Sequence, residues 1–246
     1  MRWGRRQRGV VQRMGHVSMF VWLLLILSGQ AVGDVIDTPR LRQFSVLDGL
    51  PSNRIFSVAE DRQGYLWIAT ADGLARYDGV GFQIWRVGNG LRDNYVWSVH
   101  VDAQDRVWIG TATAGVSVLD AQRRQVRHFD RATHPDLSSA KVWTIESTGD
   151  GTLWFGTDGK GLYRFDPAGR LHRHQAVLDD PTSVPSNSIT ALRRDARGDL
   201  WVATIAGLAR WNGGGFDRVA LPGISDRIES ITPDSAGRIW MNMGEF

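Results

Sequence analysis

The sequence predicts an all-β fold, a propeller of four-stranded antiparallel blades, on three observations. One eleven-residue sentence recurs five times: EDRQGYLWIAT (Glu60 to Thr70), VDAQDRVWIGT (Val101 to Thr111), STGDGTLWFGT (Ser147 to Thr157), RDARGDLWVAT (Arg194 to Thr204) and PDSAGRIWMNM (Pro233 to Met243). Its tryptophans, Trp67, Trp108, Trp154, Trp201 and Trp240, are 41, 46, 47 and 39 residues apart, and a period of that size marks repeated units in a solenoid or propeller. Within each period, short stretches of two-residue alternation are divided by Asp and Gly turn signals, and no window beyond the first 33 residues keeps a helical period.

From the N-terminus, residues 1–33 read as a cleavable secretory signal. Arg2, Arg5, Arg6, Arg8 and Arg13 precede an apolar run, Val17 to Leu27, and then Ala31-Val32-Gly33. Eleven residues of helix rise about 16 Å, too short for a hydrocarbon core of roughly 30 Å, whereas the three-part layout suits export. The pI of 9.7 belongs to this leader. Without its five arginines the chain holds 24 basic against 26 acidic residues, so a nucleic-acid surface loses its electrostatic support. There is no cysteine, which excludes disulfides and thiolate metal sites.

Residues 34–246 read as a partial propeller, with blades over about 53–85, 94–129, 140–174, 187–219 and 227–246. Leu41 to Asn53 aligns without a gap on Phe82 to Asn94, so it is expected to be a fourth strand without its own blade. In the first blade, strands are expected over Ile55 to Glu60, Tyr65 to Thr70, Leu74 to Tyr77 and Phe82 to Trp85, a blade's complement. Both faces of a blade are covered by neighbours, so each tryptophan is expected to fill an inter-blade gap. Small residues two places on (Ala69, Gly110, Gly156, Ala203) leave room for that approach. Gly73, Gly115, Gly161 and Gly207 mark turns where positive φ suits glycine. The fifth copy stops soon after Trp240 and predicts a defective last blade, an open ring and a fragment of a longer protein. An open ring exposes a strand edge and a blade face, so a poorly soluble or oligomeric species is expected.

These repeats, with the linker LDGLPSN (Leu47 to Asn53), resemble the two-component-regulator propeller repeat family. The resemblance spans roughly residues 41 to 246. It departs at Asp105 in place of a turn glycine, at Thr148 in place of aspartate, and at Asn242 and Met243 in the last copy. It implies the extracytoplasmic sensor of a bacterial receptor, on the periplasmic side of the inner membrane. The output would be a histidine kinase or diguanylate cyclase lying outside this sequence. Implied partners are a small-molecule or glycan ligand and the rest of the receptor, with a dimer in the full-length protein.

The sequence offers little chemistry. There is no phosphate-binding GxxxxGK[ST], no HExxH and no GxSxG, so no catalytic residue, cofactor or metal is assigned. Gly213-Gly214-Gly215 reads as a hairpin turn, His172 and His174 as surface histidines, Arg123-Arg124 as a solvated hairpin tip, and Asp61, Asp102, Asp195 and Asp234 as turn residues. Ligands of propellers are expected at the channel mouth, which makes Arg92, Asp93, Asn94 and Tyr95, with Ser186, Asn187 and Ser188, the candidate contacts. A propeller enzyme (lyase, glycosidase or quinoprotein) needs convergent polar residues in the channel, which the repeated text does not supply. A protein-interaction scaffold is the third alternative.

Overall fold

The computed structural model describes residues 41–135, 137, 141–221 and 227–244; the leader read at 1–33 lies outside them. The compact unit from Phe44 onward holds four four-stranded antiparallel sheets and a fifth of two strands. The first is β1 (Ile55–Glu60), β2 (Leu66–Thr70), β3 (Gly73–Tyr77) and β4 (Phe82–Trp85). The second is β5 (Val96–Val101), β6 (Val107–Thr111), β7 (Val116–Leu119) and β8 (Val126–Phe129). The third is β9 (Val142–Ser147), β10 (Leu153–Thr157), β11 (Leu162–Phe165) and β12 (Leu171–His174). The fourth is β13 (Ile189–Arg194), β14 (Leu200–Thr204), β15 (Gly207–Trp211) and β16 (Phe216–Val219), and the fifth β17 (Ile228–Pro233) and β18 (Ile239–Met243). Each sheet is a meander in chain order. The first strands β1, β5, β9, β13 and β17 lie beside one another in sequence order, as the inner strands of an open, incomplete propeller.

The core lies between blades. Trp67 packs with Val96, Val99, Val107 and Ile109 of the second blade, Trp108 with Val142, Ile145, Leu153 and Phe155 of the third, and Trp154 with Ile189, Leu192, Leu200 and Val202 of the fourth. Gly110 and Gly156 sit at these seams. A Cβ on Gly110 would lie 2.9 Å from Val142 Cγ1 of the third blade, and one on Gly156 2.7 Å from Ile189 Cβ of the fourth, inside van der Waals contact.

Each repeat is also sewn together locally. The first oxygen of Asp61 accepts the backbone N–H groups of Gln63 (3.0 Å) and Tyr65 (3.1 Å), while the second accepts the indole N–H of Trp67 (2.9 Å). Asp102, Asp195 and Asp234 hold Trp108, Trp201 and Trp240 in the same way at 2.7, 2.9 and 3.0 Å. The buried hydroxyls of Thr70, Thr111, Thr157 and Thr204 donate to the carbonyls of Gly73, Gly115, Gly161 and Gly207. Those glycines have φ of 125°, 71°, 92° and 126°. Asp105, in place of a turn glycine, takes φ 60°, a conformation that Asp tolerates better than most residues.

Three sequence expectations are corrected. Leu41–Ser45 forms no strand among the described residues; only the end of the alignment holds, as 3-10 turns at Val46–Asp48 and Val87–Asn89, each followed by a positive-φ glycine. Phe44 instead packs on Tyr77 and Phe82 (centroids 4.9 and 5.6 Å). Arg123 is not solvated: it donates to Asp61 (3.0 Å) and Asp105 (2.9 Å) with 11% of its side chain exposed, and lies over Trp67. Only Arg124 of that pair is exposed. His174 is not a surface histidine either. It stacks on Trp154 beside Trp211 and Phe216, and burial lowers its pKa to about 4. His172 pairs with Asp166 instead (3.1 Å), and no metal-holding group of His, Asp and Glu occurs among the described residues.

Candidate functional site

Each inner strand breaks register with its partner at one station. The shifts fall between Ile55 and Ser57, Val96 and Ser98, Val142 and Thr144, Ile189 and Ala191, and Ile228 and Ser230. The residue left unpaired is Phe56, Trp97, Trp143, Thr190 or Glu229. A bulge re-aims the side chain of its extra residue, and all five of these line a channel of about 370 Å³ running along the inner strands.

Three tiers follow from this register. The uppermost is aromatic: Phe56 lies 4.3 Å from Trp97, Tyr95 lies 5.1 Å from Trp97 and 5.2 Å from Phe56, and Trp143 lies 6.3 Å from Trp97. Lys141 Nζ sits 5.0 Å from the Trp143 ring and 2.8 Å from Asp158. The indole N–H groups of Trp97 and Trp143 are buried and have no acceptor among the described residues, which is costly unless an acceptor arrives. In the middle, hydroxyls latch neighbouring blades. Ser57 meets Val99 (3.4 Å), Ser98 donates to the Val142 carbonyl (3.4 Å) and Thr144 accepts from Leu192 N–H (3.2 Å).

The lowest tier holds His100, Glu146 and Arg193. His100 Nε2 is 2.8 Å from Ser147 Oγ and 3.9 Å from Glu146 Oε1. Burial holds the His100 pKa at about 4 against the pull of Asp102, with Arg193 and Arg194 adding to the depression. The imidazole is therefore neutral at pH 7. Burial also raises the Glu146 pKa, against opposing effects from the Ser147 N–H and the two arginines. Ser147 and Glu146 approach the same ring nitrogen, whereas a base-activated nucleophile needs its orienting carboxylate on the opposite one. Convergent polar residues are thus present in the channel, contrary to the sequence expectation. They sit at a station where all five copies differ: Ala59, His100, Glu146, Arg193 and Thr232.

The residues singled out from sequence divide. Tyr95 belongs to the aromatic tier. Asp93 accepts from Tyr95 N–H and from Thr113 N–H and Oγ (2.9, 2.8 and 2.7 Å). Asn94 and Asn187 accept from the backbone of Val87 and Ala176 (2.9 Å each), ordering the linkers between blades. Ser186 accepts from Ser188 N–H (3.1 Å). Arg92 lines a separate cleft with Thr113 and Asp130. Trp97, Trp143 and Phe56 were missed. Their signal is an aromatic directly after the first strand residue, within IFS, VWS and VWT.

The model of the two component regulator propeller matches residues 49–72, 90–113, 136–159 and 183–206, each a linker followed by the inner strand, the second strand and the turn beyond. A 70-residue stretch is 33% identical to histidine kinase P4 of Formosa agariphila, covering 28% of this chain and 5% of that protein. The chain therefore corresponds to a small part of that relative's length. Among solved structures, it is similar to the extracellular domain of a proposed one component system from B. thetaiotaomicron. There the TM-score is 0.66 at 18% identity, over 83% of this chain and 31% of that one. It is also similar to virginiamycin B lyase from Staphylococcus aureus, with a TM-score of 0.60 at 14% identity, over 76% of this chain and 62% of the lyase. At these identities both likenesses concern the fold. With four matched repeats, each carrying its linker, bulged inner strand and tryptophan strand, the chain belongs to the two component regulator propeller family.

Proposed function

We propose that this chain is the ligand-binding part of an extracytoplasmic bacterial sensor, and that its ligand, a small molecule or glycan, seats on the aromatic tier of the channel. The observation that carries the reading is the set of five register breaks, which turn Phe56, Trp97 and Trp143 toward one axis beside Tyr95. A flat apolar face stacks on such rings, and a hydroxyl-rich rim supplies acceptors for the indole N–H groups of Trp97 and Trp143. Residues 1–33 read as an export leader support an extracytoplasmic place, and the family resemblance supports a periplasmic location and a kinase or cyclase output outside this sequence. Binding is expected to raise the melting temperature of the full receptor's ectodomain in proportion to the logarithm of ligand excess. A saccharide and metabolite panel that leaves the wild type and Trp97→Ala equally unmoved counts against it.

A propeller enzyme is the second reading, favoured by His100, Glu146 and Arg193 together in the channel. Turnover of a panel substrate that His100→Ala abolishes, with binding retained, supports that reading over the sensor.

A further inference from the structure

The third repeat lacks the aspartate that its neighbours carry at the turn, and a cavity opens there. In the first, second, fourth and fifth copies an aspartate serves both the turn backbone and the indole. Here the station holds Thr148, and Asp150 takes over only the turn: it accepts from Thr148 Oγ (2.6 Å), Thr152 N–H (3.0 Å) and Thr152 Oγ (2.9 Å). The indole half of the task is left undone. Trp154 is 1% exposed and its Nε1 has no acceptor among the described residues, and Arg164 Nε, on the adjoining strand, is buried without one there as well. The Arg164 guanidinium lies 5.6 Å from the Trp154 ring and 5.2 Å from that of Trp211. Thr148, Trp154, Arg164, Arg210 and Trp211 line a cavity of about 490 Å³ between the third and fourth blades, at the end of the blades opposite the aromatic tier.

The first blade shows what such donors hold. There one oxygen of Asp61 takes both the Trp67 indole and the Arg123 guanidinium. We propose that the cavity between the third and fourth blades binds a small molecule carrying a carboxylate. One carboxylate oxygen occupies the place that aspartate fills in the other repeats, accepting from Trp154 Nε1, with the Arg164 guanidinium as counter-ion. The acids in the wall do not take these donors, because Asp150 is engaged by Thr148 and Thr152, and Asp199 by Arg210 (3.3 Å). The site is separate from the channel and stands whether or not the channel binds a glycan.

The test is a titration of the full chain, labelled with ¹⁵N at tryptophan, with acetate, succinate and galacturonate against equimolar chloride and galactose. The Trp154 indole resonance is assigned by Trp154→Phe. Expected is a saturable shift of that resonance with at least one carboxylate, none with galactose or chloride, and no movement of the Trp67 resonance. Thr148→Asp places a carboxylate in the site, so it abolishes the response while remaining folded. Arg164→Gln weakens binding about tenfold, the worth of one charge-assisted hydrogen bond, and Trp97→Ala leaves it unchanged. A Trp154 resonance unmoved by all three carboxylates, or a carboxylate response that Thr148→Asp retains, overturns the proposal.

Discussion

The second and fifth blades carry the same sentence and meet opposite environments. Trp108 is 4% exposed and Trp240 59%, although each indole is held by an aspartate six residues earlier at almost the same distance. The intermediate case is Trp201, half-buried against a neighbour of two strands. The first blade shows the converse. Ile55, Val58 and Leu66, 46%, 55% and 36% exposed, stand at the stations of Val96, Val99 and Val107, which are buried against Trp67. The Asp–Trp hydrogen bond is therefore a property of one repeat, while burial is a property of the next. Stability of the kind found in repeat arrays, the sum of unit and neighbour contributions, divides along this line.

The comparison breaks first if position in the array does not matter. Trp67→Ala is expected to cost about 3–5 kcal/mol, as for large core truncations, and Trp240→Ala under about 1 kcal/mol, as for exposed positions, both read by denaturant unfolding. Equal costs would refute it. Next is pH. The unfolded chain protonates histidine near 6.5, whereas buried His100 does so only near 4, so between these values the unfolded state holds more protons and stability falls as pH drops. The expected loss is on the order of 3 kcal/mol, moderated by Glu146, whose raised pKa acts in the opposite sense. His174, lowered to about 4 as well, adds a loss in the same window, so His100→Gln should reduce the slope between pH 6.5 and 4 without abolishing it, and an unchanged slope would assign it to other groups.

Arg123→Ala removes the guanidinium that reaches Asp61 from the second blade, and about 3–6 kcal/mol is expected from two charged hydrogen bonds at about 1.5–3 kcal/mol each. Burial raises the Asp61 pKa, while the bonds from Trp67 and Arg123 and from the Tyr65 and Gln63 backbone more than offset it, leaving that pKa below the usual value. The variant should therefore also lose stability at a higher pH on acidification. Gly156→Ala is expected to cost about 1–3 kcal/mol by overpacking the seam, against almost nothing for Gly214→Ala, which faces open space. One substitution is expected to stabilise. Thr148→Asp restores the missing indole acceptor and should add about 1 kcal/mol.

Blade architecture was legible because it repeats: the tryptophan in all five copies, and the turn aspartate and the small residue in four each, solve the same local problem, so spacing exposes them. The channel was less legible because its residues lie at the stations where the copies disagree. Trp97 and Trp143 look like ordinary strand residues until a register break turns them inward, and register is set by pairing that no single strand encodes. Arg123 was misread for a related reason. Its tip position suggests solvent, and only the folded array brings Asp61 of the neighbouring blade and Asp105 of its own to hold it.

The central claim, that each repeat's tryptophan is packed by the following blade, is tested most directly by a double-mutant cycle between Trp67 and Val107. These belong to different blades and one core cluster, both fully buried. Trp67→Ala and Val107→Ala, alone and combined, are predicted to couple by about 0.5–3 kcal/mol, as contacting residues do. Additivity, within the few tenths of a kcal/mol found for distant sites, would contradict the account.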